Sequence, residues 1–312
     1  MQRITEWLKE WLKKWGGRLL GLALLAWVVQ LASEQWDELP PLEDISWLPF
    51  ALGWALVGIG HLLLIRAWQS VLRWLGVVLP YRDCFSIFSI SMLGRYLPGK
   101  IMVIVGKVAM LQQKGVKKST TLYSIGWELG LIALAAGLLC VAPAQAAIDA
   151  DYPVWLLGYG AAALFGVLLL GTAVYAGWRS SRALVGILAQ YLGFWLLLGT
   201  GFLSLSHSLA SFPFEEGVVP IIRAYGIVHM ASIAIIVVPG GLGVRELGLQ
   251  WALAGTVIGP ISALVAVLMR AVVTSFEIGY ATIGLSLRRH DAPDQETKKA
   301  EELPVADSVP TD

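Results

Sequence analysis

The sequence predicts an all-α integral membrane protein, a polytopic helical bundle in which two further helices are broken. Hydrophobic residues make up 57% of the 312 residues and charged residues 14%, whereas soluble domains carry about 25% charged residues. Apolar runs of about 20 residues, the length that crosses a bilayer, recur along the chain. Two Pro-Gly sequences with charged neighbours, Pro98-Gly99 and Pro239-Gly240, interrupt other apolar runs.

The chain divides into three parts in order. Residues 1–17 place Trp7, Leu8, Trp11 and Trp15 at helical spacing among lysines and glutamates, which predicts an amphipathic helix lying on the membrane surface. Residues 18–288 form the predicted membrane domain, with about six full spans at 19–36, 45–65, 121–141, 154–175, 184–206 and 261–287, and broken segments at 83–113 and 218–257. The polar tail, residues 289–312, is predicted to be a disordered cytoplasmic tail.

Charge distribution predicts the topology, because Lys and Arg concentrate in cytoplasmic loops. The basic amino terminus and the basic segments at 66–82, 114–118, 179–182 and 288–290 are expected inside, and the acidic segments at 34–44, 143–153 and 215–216 outside. Each broken segment must then return to the side from which it enters. The prediction is two oppositely oriented re-entrant hairpins forming an inverted repeat, in a multi-pass protein of the plasma (inner) membrane with both termini cytoplasmic.

The breaks themselves look like a binding site. Proline removes a backbone donor and glycine permits unusual dihedral angles, and non-helical backbone at membrane depth survives only inside protein or beside a wet cavity. The residues predicted to break the helices are Pro98, Gly99, Pro239, Gly240, Gly241 and Gly243. A plain kink is the alternative at each break.

Eight charged residues fall within or beside apolar segments, where each costs about 2.5–3.5 kcal/mol. The cations are Arg95, Lys100, Lys107, Arg245 and Arg270, and the acids are Glu128, Glu246 and Glu277. If the three acids pair internally, two cations remain for an anionic group, such as a phosphate held by arginines and helix amino termini. The acids are also candidates for proton coupling. Alternatively the charges only pair with one another, and Lys107 reaches the membrane interface.

Spacing adds detail to this set. Arg270, Thr274 and Glu277 recur at four- and three-residue steps, so they share one helix face. The four histidines are scattered and form no catalytic set, although His229 is a candidate for a polar wall. Cys84 and Cys140 lack metal-ligand spacing, and we predict neither a metal site nor a cofactor. A net charge of +1 indicates no nucleic-acid partner.

Two motifs resemble those of the lysylphosphatidylglycerol synthase transmembrane family, which includes the flippase region of the multiple peptide resistance factor. They are the segments 94–100 (GRYLPGK, with Lys107 and Gly115 beyond it) and 238–246 (VPGGLGVRE). The resemblance covers residues 15–288 and implies a lipid-translocating membrane domain in which Tyr96 joins the substrate-binding residues. Glu128 and Arg270 match an acidic and a basic family position. Leu129 stands where the family usually has arginine after that acid, which puts a Glu-Arg pair in question.

The leading hypothesis is a flippase-like transporter that moves an anionic or aminoacylated phospholipid, or a lipid-linked phosphate, between leaflets. The chain contains no Walker motif, so ATP hydrolysis by that route is not expected. Two alternatives remain open: an integral membrane enzyme acting on lipid-linked substrates, for which Asp149-Ala150-Asp151 is a weak metal-binding pattern, and a lipid-binding assembly scaffold.

Overall fold

The computed structural model describes residues 45–96, 101–140, 154–212, 214–234, 244–256 and 261–301. These residues form nine α-helices, one 3₁₀ helix and no strand, which confirms the predicted all-α class. The helices are α1 (Trp47–Trp74), α2 (Tyr81–Met92), the 3₁₀ helix (Leu93–Tyr96), α3 (Ile101–Gln112), α4 (Lys118–Leu138), α5 (Val154–Ala176), α6 (Trp178–Leu209), α7 (Phe214–Ala234), α8 (Val244–Leu253) and α9 (Ser262–Glu301).

Four of the nine described α-helices are long and apolar enough to cross a membrane, in agreement with the predicted membrane protein. They are α1, α4, Arg179–Leu209 of α6 and Ser262–Arg288 of α9. Shorter apolar stretches occupy Ile101–Gln112 in α3 and Tyr159–Thr172 in α5. The predicted surface helix at 1–17 and the predicted span at 19–36 lie outside the described residues. So do Lys100 and the six predicted break residues, Pro98, Gly99, Pro239, Gly240, Gly241 and Gly243.

Three helices extend beyond the predicted boundaries. Helix α1 continues to Trp74 instead of ending near residue 65, and α6 begins at Trp178 instead of residue 184. The added turns contain Arg66, Arg73 and Arg182. A span predicted from hydropathy ends at the first charged residues, whereas the helix itself can continue into the membrane interface. Helix α9 runs to Glu301, into the segment for which disorder was predicted; its last turns are rich in Glu, Lys and Ala, which favour helix.

Helix α6 lies at the centre of the bundle and contacts α1, α4, α5, α7 and α9. Its closest partner is α1, and the two helices run antiparallel with small residues between them. Gly53 meets Gly201 and Leu205, and Gly60 meets Leu198. Small residues allow backbones to approach closely, which is how helices associate when no hydrophobic driving force acts between them.

Gly53→Ala is expected to destabilise the protein by about 1–3 kcal/mol through overpacking. A Cβ at this position would lie 2.9 Å from the Gly201 carbonyl oxygen and 2.8 Å from Leu205 Cγ, and a backbone atom cannot easily move aside. The measurement is denaturant unfolding in detergent. Gly166→Ala in α5 is the matched control, because a Cβ there meets nothing within 4 Å. Equal stability of the two variants would contradict the close packing of α1 on α6.

Helices α2 and α3, on either side of the first predicted break, pack antiparallel. At one end of this helix pair, Lys114 Nζ forms an ion pair with Asp83 Oδ1 at 2.9 Å. At the other end, a Cβ on Gly94 would lie 2.7 Å from the backbone of Met102 and Val103. Helices α2 and α3 each have 12 residues, about 18 Å at the helical rise. Neither helix alone is long enough for the roughly 30 Å hydrocarbon core of a bilayer.

Helix α2 also packs along the last described helix, α9. Ser86 Oγ donates to the Gly284 carbonyl at 2.7 Å, and the Tyr280 hydroxyl of α9 donates to the Gly58 carbonyl of α1 at 3.1 Å. On the other side of the second break, α8 packs against α7, where a Cβ on Gly248 would lie 2.7 Å from Val228 Cγ1. In addition, α7 contacts α6, and α8 contacts α9, so the helices on either side of the second predicted break also pack on the rest of the bundle.

Candidate functional site

A cavity of about 520 Å³ is lined by residues from every described helix except α5. Its wall is mostly apolar, with Leu64, Phe88, Ile104, Ile132 and Phe194 among the lining residues. Among the described residues that line it, three are cationic and two are acidic: Arg95, Lys107 and Arg245, with Glu128 and Glu277. The structure therefore brings residues 95 and 245, one from each break, to the same cavity.

Arg95 is bonded to the last helix. It lies on the 3₁₀ helix that precedes the first break, and its Nη1 donates to Glu277 Oε1 of α9. The Tyr96 hydroxyl donates to the other carboxylate oxygen, Oε2, at 2.5 Å, and lies 3.3 Å from Thr274 Oγ1. Thr274 and Glu277 thus share a face, as their spacing predicted. Glu277 therefore joins Arg95 and Tyr96 of the 3₁₀ helix to α9.

Lys107 and Glu128 form a second ion pair, which is deeply enclosed. Lys107 Nζ of α3 donates to Glu128 Oε2 of α4 at 2.6 Å. The same ammonium lies 4.2 Å from the ring centroid of Phe88 and 4.7 Å from that of Trp68, within cation–π range. Lys107 is only 2% exposed. Its charge is stabilised by one carboxylate and two aromatic faces, and it does not extend toward the membrane interface.

Arg245 stands in the first turn of α8, directly after the second break, and is buried. Its Nη2 lies 3.3 Å from His229 Nε2 of α7. A guanidinium can only donate, so this contact is a hydrogen bond in the His229 tautomer that carries its ring proton on Nδ1. His229 also packs edge-on against Trp195 and lines the cavity. The second break therefore contributes a buried arginine held against a histidine.

The cavity wall also contains two buried polar atoms without hydrogen-bond partners. Within the described part of the chain, Ser89 Oγ and His229 Nδ1 are buried without a hydrogen-bond partner, and both residues line the cavity. A buried polar group left in this state costs about 1–3 kcal/mol. A bound water or ligand that pairs with either atom would recover that cost.

The other predicted site residues are distributed differently. Arg270 is half-buried on α9 and does not belong to the described lining of the cavity, because it stands about two helical turns before Glu277. Tyr96 contacts the cavity residue Glu277 without lining the cavity itself. Glu246 follows Arg245 in α8; its side chain and the whole of Lys100 lie outside the described residues. Glu128 and Glu277 both occur as ion-pair partners.

His61 on α1 was not among the predicted site residues, although it also lines the cavity. Its Nδ1 lies 2.8 Å from the Val57 carbonyl oxygen. A histidine inside an apolar span was the available signal, since ionisable residues at membrane depth are functional candidates by default. Among the described residues, no group of three or more His, Cys, Asp and Glu is arranged to hold a metal ion.

In the part of the chain that the structure describes, these features define an all-helical membrane protein with a charged cavity beside the two predicted helix breaks. Compared with known proteins, the chain matches no protein-family model and no curated protein.

Proposed function

We propose that the chain is a flippase-like transporter, in which the cavity holds the anionic headgroup of a phospholipid, an aminoacylated phospholipid or a lipid-linked phosphate. The observation that carries the proposal is the cavity wall, where Arg95 and Arg245 from the two breaks stand among apolar side chains. The described lining has one more positive group than negative groups. An oxyanion would bring the opposite charge, and arginine forks bind phosphate oxygens well.

The size and rim of the cavity favour a lipid over a soluble anion. Ligand sites typically measure about 300–1,000 Å³, and 520 Å³ would take a headgroup without its chains. Ile101 and Leu129 line the cavity and are 62% and 45% exposed. In a membrane these apolar residues would face lipid, which suits acyl chains that remain outside.

The same proposal includes the architecture around the site. The antiparallel pair α2 and α3, too short to span, is well suited to a re-entrant hairpin, and α7 with the short α8 is its proposed counterpart of opposite orientation. The resemblance to the lysylphosphatidylglycerol synthase transmembrane family supports this inverted repeat. Loop charges support an orientation with both termini cytoplasmic, and a plasma (inner) membrane location is part of the same proposal.

Reconstitution tests the proposal. Purified protein in liposomes that carry a fluorescent phosphatidylglycerol in one leaflet should move the label to the other leaflet faster than protein-free liposomes do. A leaflet-specific quencher measures the transfer, and chromatography of the extracted lipid measures any chemical change. Headgroup turnover without transfer would instead support the enzyme alternative. Neither transfer nor turnover, with lipid retained by the purified protein, would support the scaffold alternative.

A further inference from the structure

The two ion pairs of the cavity differ in how a ligand can reach them. In the Lys107–Glu128 pair both side chains are enclosed, at 2% and 8% exposure, and aromatic rings flank the ammonium. In the Arg95–Glu277 pair the arginine side chain is 26% exposed and the carboxylate 3%. A ligand in the cavity can therefore approach Arg95, while its partner Glu277 stays buried.

A bound oxyanion would compete with Glu277. Phosphate oxygens and a carboxylate use the same guanidinium donors, and the carboxylate already holds Arg95. Tyr96 is bonded to the same carboxylate and adjoins Arg95 in the 3₁₀ helix. A shift of this short helix toward a ligand would break both bonds to Glu277 together.

The released carboxylate would then be buried and short of partners. Breaking a buried ion pair by removing one partner costs about 3–5 kcal/mol, because the charge left behind is not compensated. A buried acid avoids this cost by taking up a proton and becoming neutral. For a monoanionic ligand, the added proton also restores the net charge that the cavity had before binding.

We infer that an oxyanion bound by Arg95 displaces Glu277, and that Glu277 takes up one proton as it is released. The Arg95–Glu277 ion pair breaks, an Arg95–oxyanion pair forms, and a proton released by the buffer adds to the Glu277 carboxylate to give the neutral acid, which leaves the buffer in its conjugate base form. This inference rests on the proposed function and deepens it, because it gives Glu277, rather than Glu128, the role of proton acceptor.

One of the charged groups that face Glu277 could neutralise the released carboxylate in place of a proton, and this alternative must be tested. The groups that face Glu277 are Arg95 and Tyr96 from the 3₁₀ helix, His61 from α1 and Arg245 from α8, with His229 of α7 and Tyr280 of α9 also on the cavity wall. An exchange in which Arg245 neutralises the released carboxylate would need no proton. The number of protons taken up therefore distinguishes the two exchanges.

Calorimetry measures that number directly. The protein in dodecyl maltoside is titrated at pH 7 with dihexanoylphosphatidylglycerol, a soluble monoanionic lipid, in PIPES, HEPES and Tris, whose ionisation enthalpies differ. The slope of the binding enthalpy against the buffer enthalpy should give about one proton per lipid for the native chain. Glu277→Gln should bind the lipid with a proton number near zero. Asp83→Asn, which removes the acid of the Asp83–Lys114 pair outside the cavity, should keep the native value.

A second measurement needs no variant. If one proton accompanies each anion, the affinity of the native chain should fall about tenfold per pH unit between about pH 6 and pH 8. Glycerophosphoglycerol, the same headgroup without acyl chains, forms the other arm. Binding of both probes with equal proton numbers identifies the phosphodiester alone as the ligand, whereas binding of the lipid only identifies a membrane lipid.

Three results would overturn the inference: a flat pH profile, a native proton number of zero, or unchanged proton uptake in Glu277→Gln. Failure of both probes to bind the native chain would overturn it as well. Failure of the proposed transport function is seen separately, as absence of lipid transfer in liposomes while calorimetry still reports proton-linked binding.

Discussion

Arg245→Gln is expected to reduce the rate of phosphatidylglycerol transfer in liposomes by about 10- to 100-fold. Hydrogen bonds to a charged group contribute about 1.5–3 kcal/mol, and each 1.4 kcal/mol is a factor of ten. Arg245 is 6% exposed and lines the cavity, so water screens its interaction with a bound headgroup poorly. Glutamine keeps a polar side chain, although a shorter one, and removes the charge.

The matched control is Arg66→Gln on α1. Arg66 is exposed, bonds to Gln69 on its own helix and lies outside the cavity lining, so the same chemical change should leave the transfer rate within about twofold. Both variants are compared with the native chain by the quenching assay at equal protein content per liposome. Unchanged transfer in Arg245→Gln would remove the cavity from the transport mechanism.

Helix positions in the membrane domain were largely predictable from the sequence. Apolar runs that end at charged or turn residues specify a helix by length, and α4 and α5 lie within a few residues of the predicted spans at 121–141 and 154–175. The first turns of α6 and the last turns of α1 were not predictable in this way. These turns contain polar residues beyond the apolar run, so the helix continues where a hydropathy pattern gives no signal.

The partners of the charged residues could not be derived from one sequence. The sequence indicated that buried charges need partners, but Arg95 and Glu277 are 182 positions apart, and only packing of the 3₁₀ helix on α9 brings them together. Spacing correctly placed Thr274 and Glu277 on one face of α9. It could not show that the cavity reaches α9 at Glu277 and Tyr280 without reaching Arg270, because the depth of a cavity depends on neighbouring helices.

The Lys107–Glu128 pair gives the second large expected effect, on stability instead of transport. Glu128→Leu is expected to destabilise the protein by about 3–5 kcal/mol, because it leaves the Lys107 ammonium buried without its carboxylate. In a protein of this size such a loss lowers the melting temperature by on the order of 10 °C. Thermal unfolding in detergent, followed by circular dichroism, measures it. Asp83→Ala, at the half-buried Asp83–Lys114 pair, is expected to cost about 1 kcal/mol or less.

The double variant Lys107→Met/Glu128→Leu separates charge from packing. Apolar residues of similar volume often replace a buried ion pair without loss, and methionine would still fill the space between Trp68 and Phe88 that the lysine stem occupies. The double variant should therefore regain most of the stability that Glu128→Leu loses. If it were as unstable as the single variant, the loss would come from the shape of the leucine side chain. An ammonium without its counter-ion would then not be the cause, and the pair would not contribute the electrostatic contact that joins α3 to α4.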